Sequence, residues 1–251
     1  MSDLKGKTAI VTGGSRDIGR SCAIKLGEQG CNVVVNYNAN EAAANETVAA
    51  VEAAGGKAIA VKGDMTQKAD VDAVVSATVD AFGNDIHVLV NNVGGLVARK
   101  KLAEMDETFF NQVMFLNVNS TFLTTQAVVP HMPAGSSIVN LASLAGRDGG
   151  GGGASAYSTA KGAVITFTRS MAKELGPDGI RCNALCPGMI DTTFHDTFTP
   201  DAVRKNVENS VPLRRQGHPD DCADTVVYLA SEKSAYITGA NIDINGGMFF
   251  S

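Results

Sequence analysis

The first apolar run of the chain, Thr8-Ala-Ile-Val11, passes without a break into Thr12-Gly13-Gly14-Ser15-Arg16-Asp17-Ile18-Gly19, and residues 18–29 then follow a helical pattern. A short β-capable run, a glycine-rich turn and an amphipathic segment spell strand, loop, helix. Glycines at such a turn let backbone N–H groups approach a diphosphate at the positive end of a helix dipole. A glycine loop alone is a weak signal. Its place after the first strand of an alternating chain makes it a nucleotide-site expectation.

The alternation continues outward from there. Strand candidates are Cys31–Val35, Ala58–Val61, Ile86–Val90, Ser137–Leu141 and Ile180–Leu185, with Ile237–Ile244 as the last. Helical patterns fall between them near 40–54, 67–82, 103–129, 156–175 and 219–230. Strands separated by helices predict βαβ crossovers and a parallel sheet covered on both faces, which such continuous apolar strands require. The expected fold is α/β, a Rossmann-type doubly wound parallel sheet of about seven strands in three αβα layers. No break in composition divides the chain, so 1–251 reads as a single dinucleotide-binding and catalytic domain. Residues 190–215 read as an irregular substrate loop outside the strands' carboxyl ends, where open sheets of this kind bind ligands.

Composition narrows the function. The chain has 251 residues, 44% of them hydrophobic and 19% charged, with 27 Gly and a net charge of −5. Disorder needs lower hydrophobicity and higher charge. The acidic balance argues against a nucleic-acid partner held through a broad basic face. The five scattered cysteines suit buried, reduced packing in a reducing compartment rather than a disulfide framework, and they complete no familiar metal pattern. The first residues lack the apolar core of a secretory leader, so a cytoplasmic location is expected. From 108 to 146 there is no Asp, Glu, Lys or Arg. Asn111, Asn117, Gln126, Pro130 and Pro133 interrupt this run, making it a buried or interface helix and strand rather than a membrane span.

Tyr157-Ser-Thr-Ala-Lys161 places a phenol and an ammonium on one helix face, since residues i and i+4 are neighbours there. A tyrosine titrates near about 10, and a cation within about 4–6 Å can lower that by roughly 1–3. The pair is therefore expected to form a general acid or base usable near neutrality.

These segments together resemble the short-chain dehydrogenase/reductase family over essentially the whole chain. The loop matches Thr-Gly-x-x-x-Gly-x-Gly, except that Asp17 stands where the family has its middle glycine. Aspartate is a good helix N-cap, so it is expected to serve that role, with Arg16 offsetting its charge beside the diphosphate. The resemblance implies dinucleotide contacts from Gly13, Ser15, Arg16, Asp17, Ile18 and Gly19. It places Asp64 and Met65 near the adenine, and Asn91, Val93 and Gly94 of Asn91-Asn92-Val93-Gly94 along the adenosine. Pro187, Gly188, Ile190 and Thr192 resemble the segment that carries the nicotinamide amide, and Tyr157 and Lys161 also touch the cofactor.

The second strand ends in Asn36-Tyr37-Asn38, with no acid until Glu41 to select the ribose 2′-OH of NAD. Arg16 is suited to a 2′-phosphate. NADPH is the expected cofactor, with NADH admitted. By resemblance the catalytic group is Asn117, Ser143, Tyr157 and Lys161. Asn119 is the rival of Asn117, whose spacing to Phe122 fits the family better. Ser143 would polarise the carbonyl and Tyr157 would protonate it. The small-molecule substrate is expected to meet Ser143, Gly149, Gly150, Tyr157 and His195, with Arg99, Lys100, Lys101, Arg214 and Arg215 as further cations nearby. The glycine run 149–153 favours a polar, sugar-derived keto acid such as 4-deoxy-5-hexoseulose uronate. A 3-oxoacyl-carrier-protein reductase and a non-catalytic dinucleotide sensor are the alternatives. No metal and no membrane partner are expected, and the family implies a homotetramer.

Overall fold

In a computed structural model, which describes residues 3–250, seven strands form one parallel sheet. They are β1 (Thr8–Val11), β2 (Asn32–Tyr37), β3 (Lys57–Lys62), β4 (Val88–Asn91), β5 (Ser137–Leu141), β6 (Arg181–Pro187) and β7 (Asn241–Ile244). Their order across the sheet is β3-β2-β1-β4-β5-β6-β7. The chain winds outward from β1 in one direction, then restarts at β4 and winds outward in the other. A crevice opens at that switch, beyond the carboxyl ends of β1 and β4, because the connections leave it on opposite sides.

The helices are α1 (Asp17–Glu28), α2 (Glu41–Ala53), α3 (Lys68–Phe82), α4 (Glu107–Met114), α5 (Ser120–Val128), α6 (Ala145–Asp148), α7 (Ser155–Leu175), α8 (Thr193–Phe198), α9 (Asp201–Ser210) and α10 (Pro219–Ala230). Side chains alternate across a strand, and here both faces are apolar. Ala9, Val11, Val33, Val35, Val88 and Val90 join one core with Leu26 of α1, Val51 of α2 and Leu229 of α10. Ile10, Val34, Leu89 and Ile138 join the other with Val74 of α3, Val128 of α5 and Leu175 of α7. Each such side chain, fully buried, contributes roughly 1.5–3 kcal/mol. The register Val11↔Val35, with Val11↔Val90 on the other side, keeps the layers aligned through the centre of the sheet.

Three expected elements differ. The last strand begins at Asn241, not Ile237, because Ile237 closes a turn onto Ser234 and Gly239 has φ +74°. The helix expected over 103–129 is α4 and α5 joined by a π-helical turn at Phe115–Asn119. In α5 the uncharged polar residues satisfy themselves, as Ser120, Thr121, Thr124 and Thr125 donate to carbonyls four residues back. The segment 190–215 is not irregular, since it folds into α8 and α9. Arg204 clamps this pair, bonding Asp191, Asp196 and Gln216.

All five cysteines are unbridged and buried. Burial pushes their thiols up, to about 12 for Cys31, Cys182 and Cys222 and about 11 for Cys186. Among the described residues no helix is long and apolar enough to cross a membrane, and no three His, Cys, Asp or Glu side chains gather as a metal site would require.

Candidate active site

A cavity of about 970 Å³ fills the crevice, bounded at one end by Gly13–Gly19 and at the other by α8 and the glycine run. The glycine loop is built by close approach. A Cβ on Gly19 would lie 2.2 Å from the Gly13 carbonyl oxygen, so no other residue fits there. The Gly13 and Gly14 amides are engaged by Asn36, donating to its Oδ1 at 3.1 Å and its carbonyl at 2.8 Å. The first turn of α1, whose leading amides a helix leaves without internal partners, faces the cavity through Asp17, Ile18 and Gly19. Ser15 and Arg16 line the same end.

Asp17 is not the N-cap expected of it. Arg16 occupies the cap position without a side-chain bond, and Asp17 sits at φ +52°, a conformation that favours glycine. The Asp17 carboxylate reaches across the cavity mouth to α8, accepting from the Thr193 backbone at 3.2 Å and its hydroxyl at 2.5 Å. Arg16 lies 3.8 Å from Asp17 and also donates to the Thr193 hydroxyl at 3.2 Å. Its guanidinium is thus engaged toward α8 rather than held at the end of β2.

The four residues expected to do chemistry converge. Ser143 follows β5, Tyr157 and Lys161 lie on the inner face of α7, and all three line the cavity. Gly146 of α6 makes this packing feasible, since a Cβ there would come within 2.7 Å of the Lys161 backbone. Lys161 is buried and donates from Nζ to the Leu141 carbonyl at 2.6 Å. Asn117 lies in the π turn, where its amide donates to Gly95 O and Val113 O, and its Oδ1 accepts from Gly95 N. Both lie against the same side of Gly94, where a Cβ would meet Asn117 Oδ1 at 2.6 Å and Lys161 Nζ at 2.9 Å. Asn119 makes no comparable approach to Gly94, so the geometry favours Asn117.

One electrostatic expectation is reversed. Tyr157 is not lowered: burial pushes its phenol above the usual tyrosine value, while the hydrogen bond with Ser143 pulls the other way. Burial also brings Lys161 down to about 8. Desolvation is the leading cause for both groups. The phenol is consequently protonated at neutral pH, the form a proton donor needs.

Other expected residues divide. Asn36, Tyr37, Asn38, Asp64, Met65, Val93, Gly94, Pro187, Gly188, Ile190, Thr192, Gly150 and His195 all line the cavity. Asn36 is nevertheless engaged inside the fold, donating to Gly63 O as well as accepting from Gly13. Asp64 folds its carboxylate onto Thr66. Asn91 does not reach the cavity. It is buried, donating to Thr125 and Asn140, and its neighbour Asn92 takes the cavity position while tying down Thr12 and Gly13 through their carbonyls. Gly149 likewise lies outside the cavity lining, as the positive-φ cap of α6 whose carbonyl accepts from Ser158. His195 is brought down to about 4, first by burial and then by Arg204 and Arg99.

Among the outlying cations, Lys100 pairs with Asp106 at 3.8 Å and Arg215 with Asp221. Arg214 bonds the Asn209 carbonyl. The residues that sequence reasoning missed are aromatic. Phe194 stands 5.9 Å from the Tyr157 ring and 5.1 Å from Phe198, roofing the reacting end. Their i, i+4 spacing was the available signal.

Residues 13–249 match the family model described as enoyl-(acyl carrier protein) reductase. The chain belongs to the short-chain dehydrogenase/reductase family. It is 38% identical to a 3-oxoacyl-[acyl-carrier-protein] reductase FabG of Staphylococcus aureus, over 97% of this chain and 98% of that one. It is 39% identical to a reductase of the same description from Synechocystis, over 99% of each. Among solved structures it superposes on the NADH-dependent reductase A1-R′ responsible for alginate metabolism, with a TM-score of 0.90 at 33% identity over all of both chains. A short-chain dehydrogenase/reductase from Serratia marcescens gives 0.91 at 33% identity, over 97% and 98%. As a member of this family the chain is an oxidoreductase that uses a nicotinamide dinucleotide. The cradle fits such a group, because Gly19 leaves no room for a Cβ against the Gly13 carbonyl and the first turn of α1, with its unpartnered leading amides, lines the cavity. In short-chain dehydrogenase/reductase terms, Asp17 is the departure that this chain accommodates through Thr193.

Proposed function

We propose that this chain is a carbonyl reductase using NADPH in preference to NADH, acting on a small, polar, sugar-derived keto acid such as 4-deoxy-5-hexoseulose uronate. The observation that carries the reaction is the convergence of Ser143, Tyr157 and Lys161 on the cavity, with Asn117 and Lys161 both against Gly94. The dinucleotide, when bound, supplies hydride to the carbonyl carbon. The chain's part is to hold and move the proton. Ser143 donates a hydrogen bond to the carbonyl oxygen, and the Tyr157 phenol, protonated at neutral pH, delivers its proton there. Lys161 stabilises the phenolate left behind, its ammonium held by Leu141 O. Asn117 fixes the Gly94–Gly95 backbone beside it.

The cofactor preference is supported by the end of β2, where Asn36-Tyr37-Asn38 offers no carboxylate for a ribose 2′-OH, and by Arg16, a cation on the same cavity wall that would have to leave Asp17 and Thr193 to meet a 2′-phosphate. The substrate class is supported by the glycine run and by the likeness to the alginate-metabolising reductase, itself described as NADH-dependent. The second reading, a 3-oxoacyl-carrier-protein reductase, is favoured by the descriptions of the curated relatives. A non-catalytic sensor would have no use for the retained Tyr157–Lys161 pair. The reading extends to a cytoplasmic homotetramer, each chain a single catalytic domain.

The test is a dinucleotide-oxidation screen of the wild type and Tyr157→Phe across keto-uronates, simple sugars, diketones and acyl thioesters, with NADPH and NADH in parallel. Keto-uronate turnover favouring NADPH is expected. Tyr157→Phe should lose about 10²–10⁴-fold in kcat while retaining dinucleotide binding. Turnover of acyl thioesters alone would select the second reading, and substantial turnover by Tyr157→Phe would overturn the proton assignment.

A further inference from the structure

We infer that Arg99, seated by the glycine run, binds the carboxylate of the substrate; this deepens the carbonyl-reductase reading and rests on it. Arg99 lines the same cavity as Ser143, Tyr157, Gly150 and Gly151. Its Nε donates to Phe198 O at 3.3 Å and its Nη1 to Gly152 O at 3.1 Å, so it joins the end of α8 to the glycine run. A guanidinium has five N–H donors in a planar fork. Two are engaged here, leaving the remainder for a ligand.

Both of its acceptors are uncharged carbonyls. Among the described residues no carboxylate comes within ion-pair distance of Arg99, whereas its neighbours are neutralised. Arg204 holds Asp191 and Asp196, Lys100 holds Asp106, and Arg16 faces Asp17. His195 contributes no charge near neutral pH, and Arg99 itself is one cause of that. Asp148 lines the cavity but turns its carboxylate back to the Gly150 amide at 2.8 Å. Arg99 is thus an exposed cation at the substrate end with no carboxylate at ion-pair distance, and the Asp148 carboxylate on the same wall is directed to the Gly150 amide rather than to it.

The glycine run explains how the guanidinium is seated. A Cβ on Gly153 would come 3.1 Å from Arg99 Cβ and 3.2 Å from the Lys100 amide, and one on Gly151 would stand 3.6 Å from Nη1. The Lys100 amide is bonded to Gly153 O at 3.0 Å, which holds the two segments together. The glycines thus give Arg99 a backbone bed. A planar carboxylate matches the free edge of the fork.

The experiment compares kcat/KM for a keto-uronate and its methyl ester in wild type, Arg99→Gln and Arg99→Lys, with dinucleotide Kd read by fluorescence. The Gln variant keeps a donor for the carbonyls without the charge, and the Lys variant keeps the charge without the fork. A second matched pair, 3-oxoacyl thioesters of pantetheine and phosphopantetheine, asks whether a phosphate is the anion instead. Wild type is expected to prefer acid over ester on the order of 10- to 100-fold, the scale of a charge-assisted bond. In Arg99→Gln that ratio should fall toward unity, chiefly through KM, with an intermediate ratio in Arg99→Lys. A ratio unaltered in Arg99→Gln, or a wild type indifferent to esterification, overturns the assignment. So does a phosphate preference without a carboxylate preference. If the wild type binds dinucleotide yet reduces no carbonyl, the reductase reading itself falls, and this inference with it.

Discussion

Asp17 shows how one residue can be visible in sequence and still have its role misread. That it replaces a glycine is plain from the motif, but the consequence depends on a dihedral. At φ +52° an L-residue is strained, and the carboxylate is stabilised there by two bonds from Thr193. Two substitutions separate these effects. Asp17→Ala loses the bonds and keeps the strain, whereas Asp17→Gly loses the bonds and relieves it. Urea denaturation should place the glycine variant above the alanine variant by about 1 kcal/mol. Equal midpoints would show that the left-handed conformation costs nothing. At this scale Tyr157 and Lys161 were legible because their chemistry demands that spacing, whereas Ser143, a plain residue after a strand, was legible only through the family resemblance. Asn91 and Asn92 were not separable, since adjacent residues at a strand's end point opposite ways and only the three-dimensional register decides which one faces the crevice.

At the scale of elements, the long apolar strands announced themselves, while α8 and α9 did not. The α9 sequence, Asp201–Ser210, is polar on average and buries none of its residues, and its apolar side is only Ala202, Val203 and Val207, too narrow to announce a core-facing helix. The π turn carrying Asn117 is also hard to read in sequence, because the register shift of one extra residue needs a polar face to show against, and this run has no charged residue. α8 carries a pH dependence of its own. His195 titrates near about 4 in the fold and near about 6.5 when unfolded. Between those values the unfolded chain binds more protons, so stability rises with pH through that window and falls as acid is added. Thermal denaturation should show a smaller drop in Tm from pH 7 to pH 5 for His195→Gln than for wild type. Parallel curves would mean that the imidazole is as solvated in the fold as out of it.

For the whole molecule, the parallel sheet was predictable from the alternation, but alternation suits a closed barrel equally, and the two-directional winding rests on the glycine loop and the family resemblance. Its quaternary form is where apolar surface remains. Phe115 and Phe122 on the outer face of the α4–α5 segment are 53% and 43% exposed, and Phe122 meets Phe167 of α7 edge-on at 6.5 Å. An aromatic face on two adjacent helices suits a self-complementary two-fold contact. Light scattering should give about four times the 26.0 kDa chain mass, and Phe122→Glu should shift it to smaller species. A monomeric wild type would contradict the proposed assembly.

The buried cysteines bear on how such questions are asked. A thiol reacts as its thiolate, and these five are enclosed and held largely protonated at neutral pH. Maleimide chemistry on the native fold therefore meets a nearly silent background. A single cysteine introduced on the exposed side of α8 would be the one site to take a dye, turning the roof of the cavity into an optical reporter without first stripping the protein of its own sulfur.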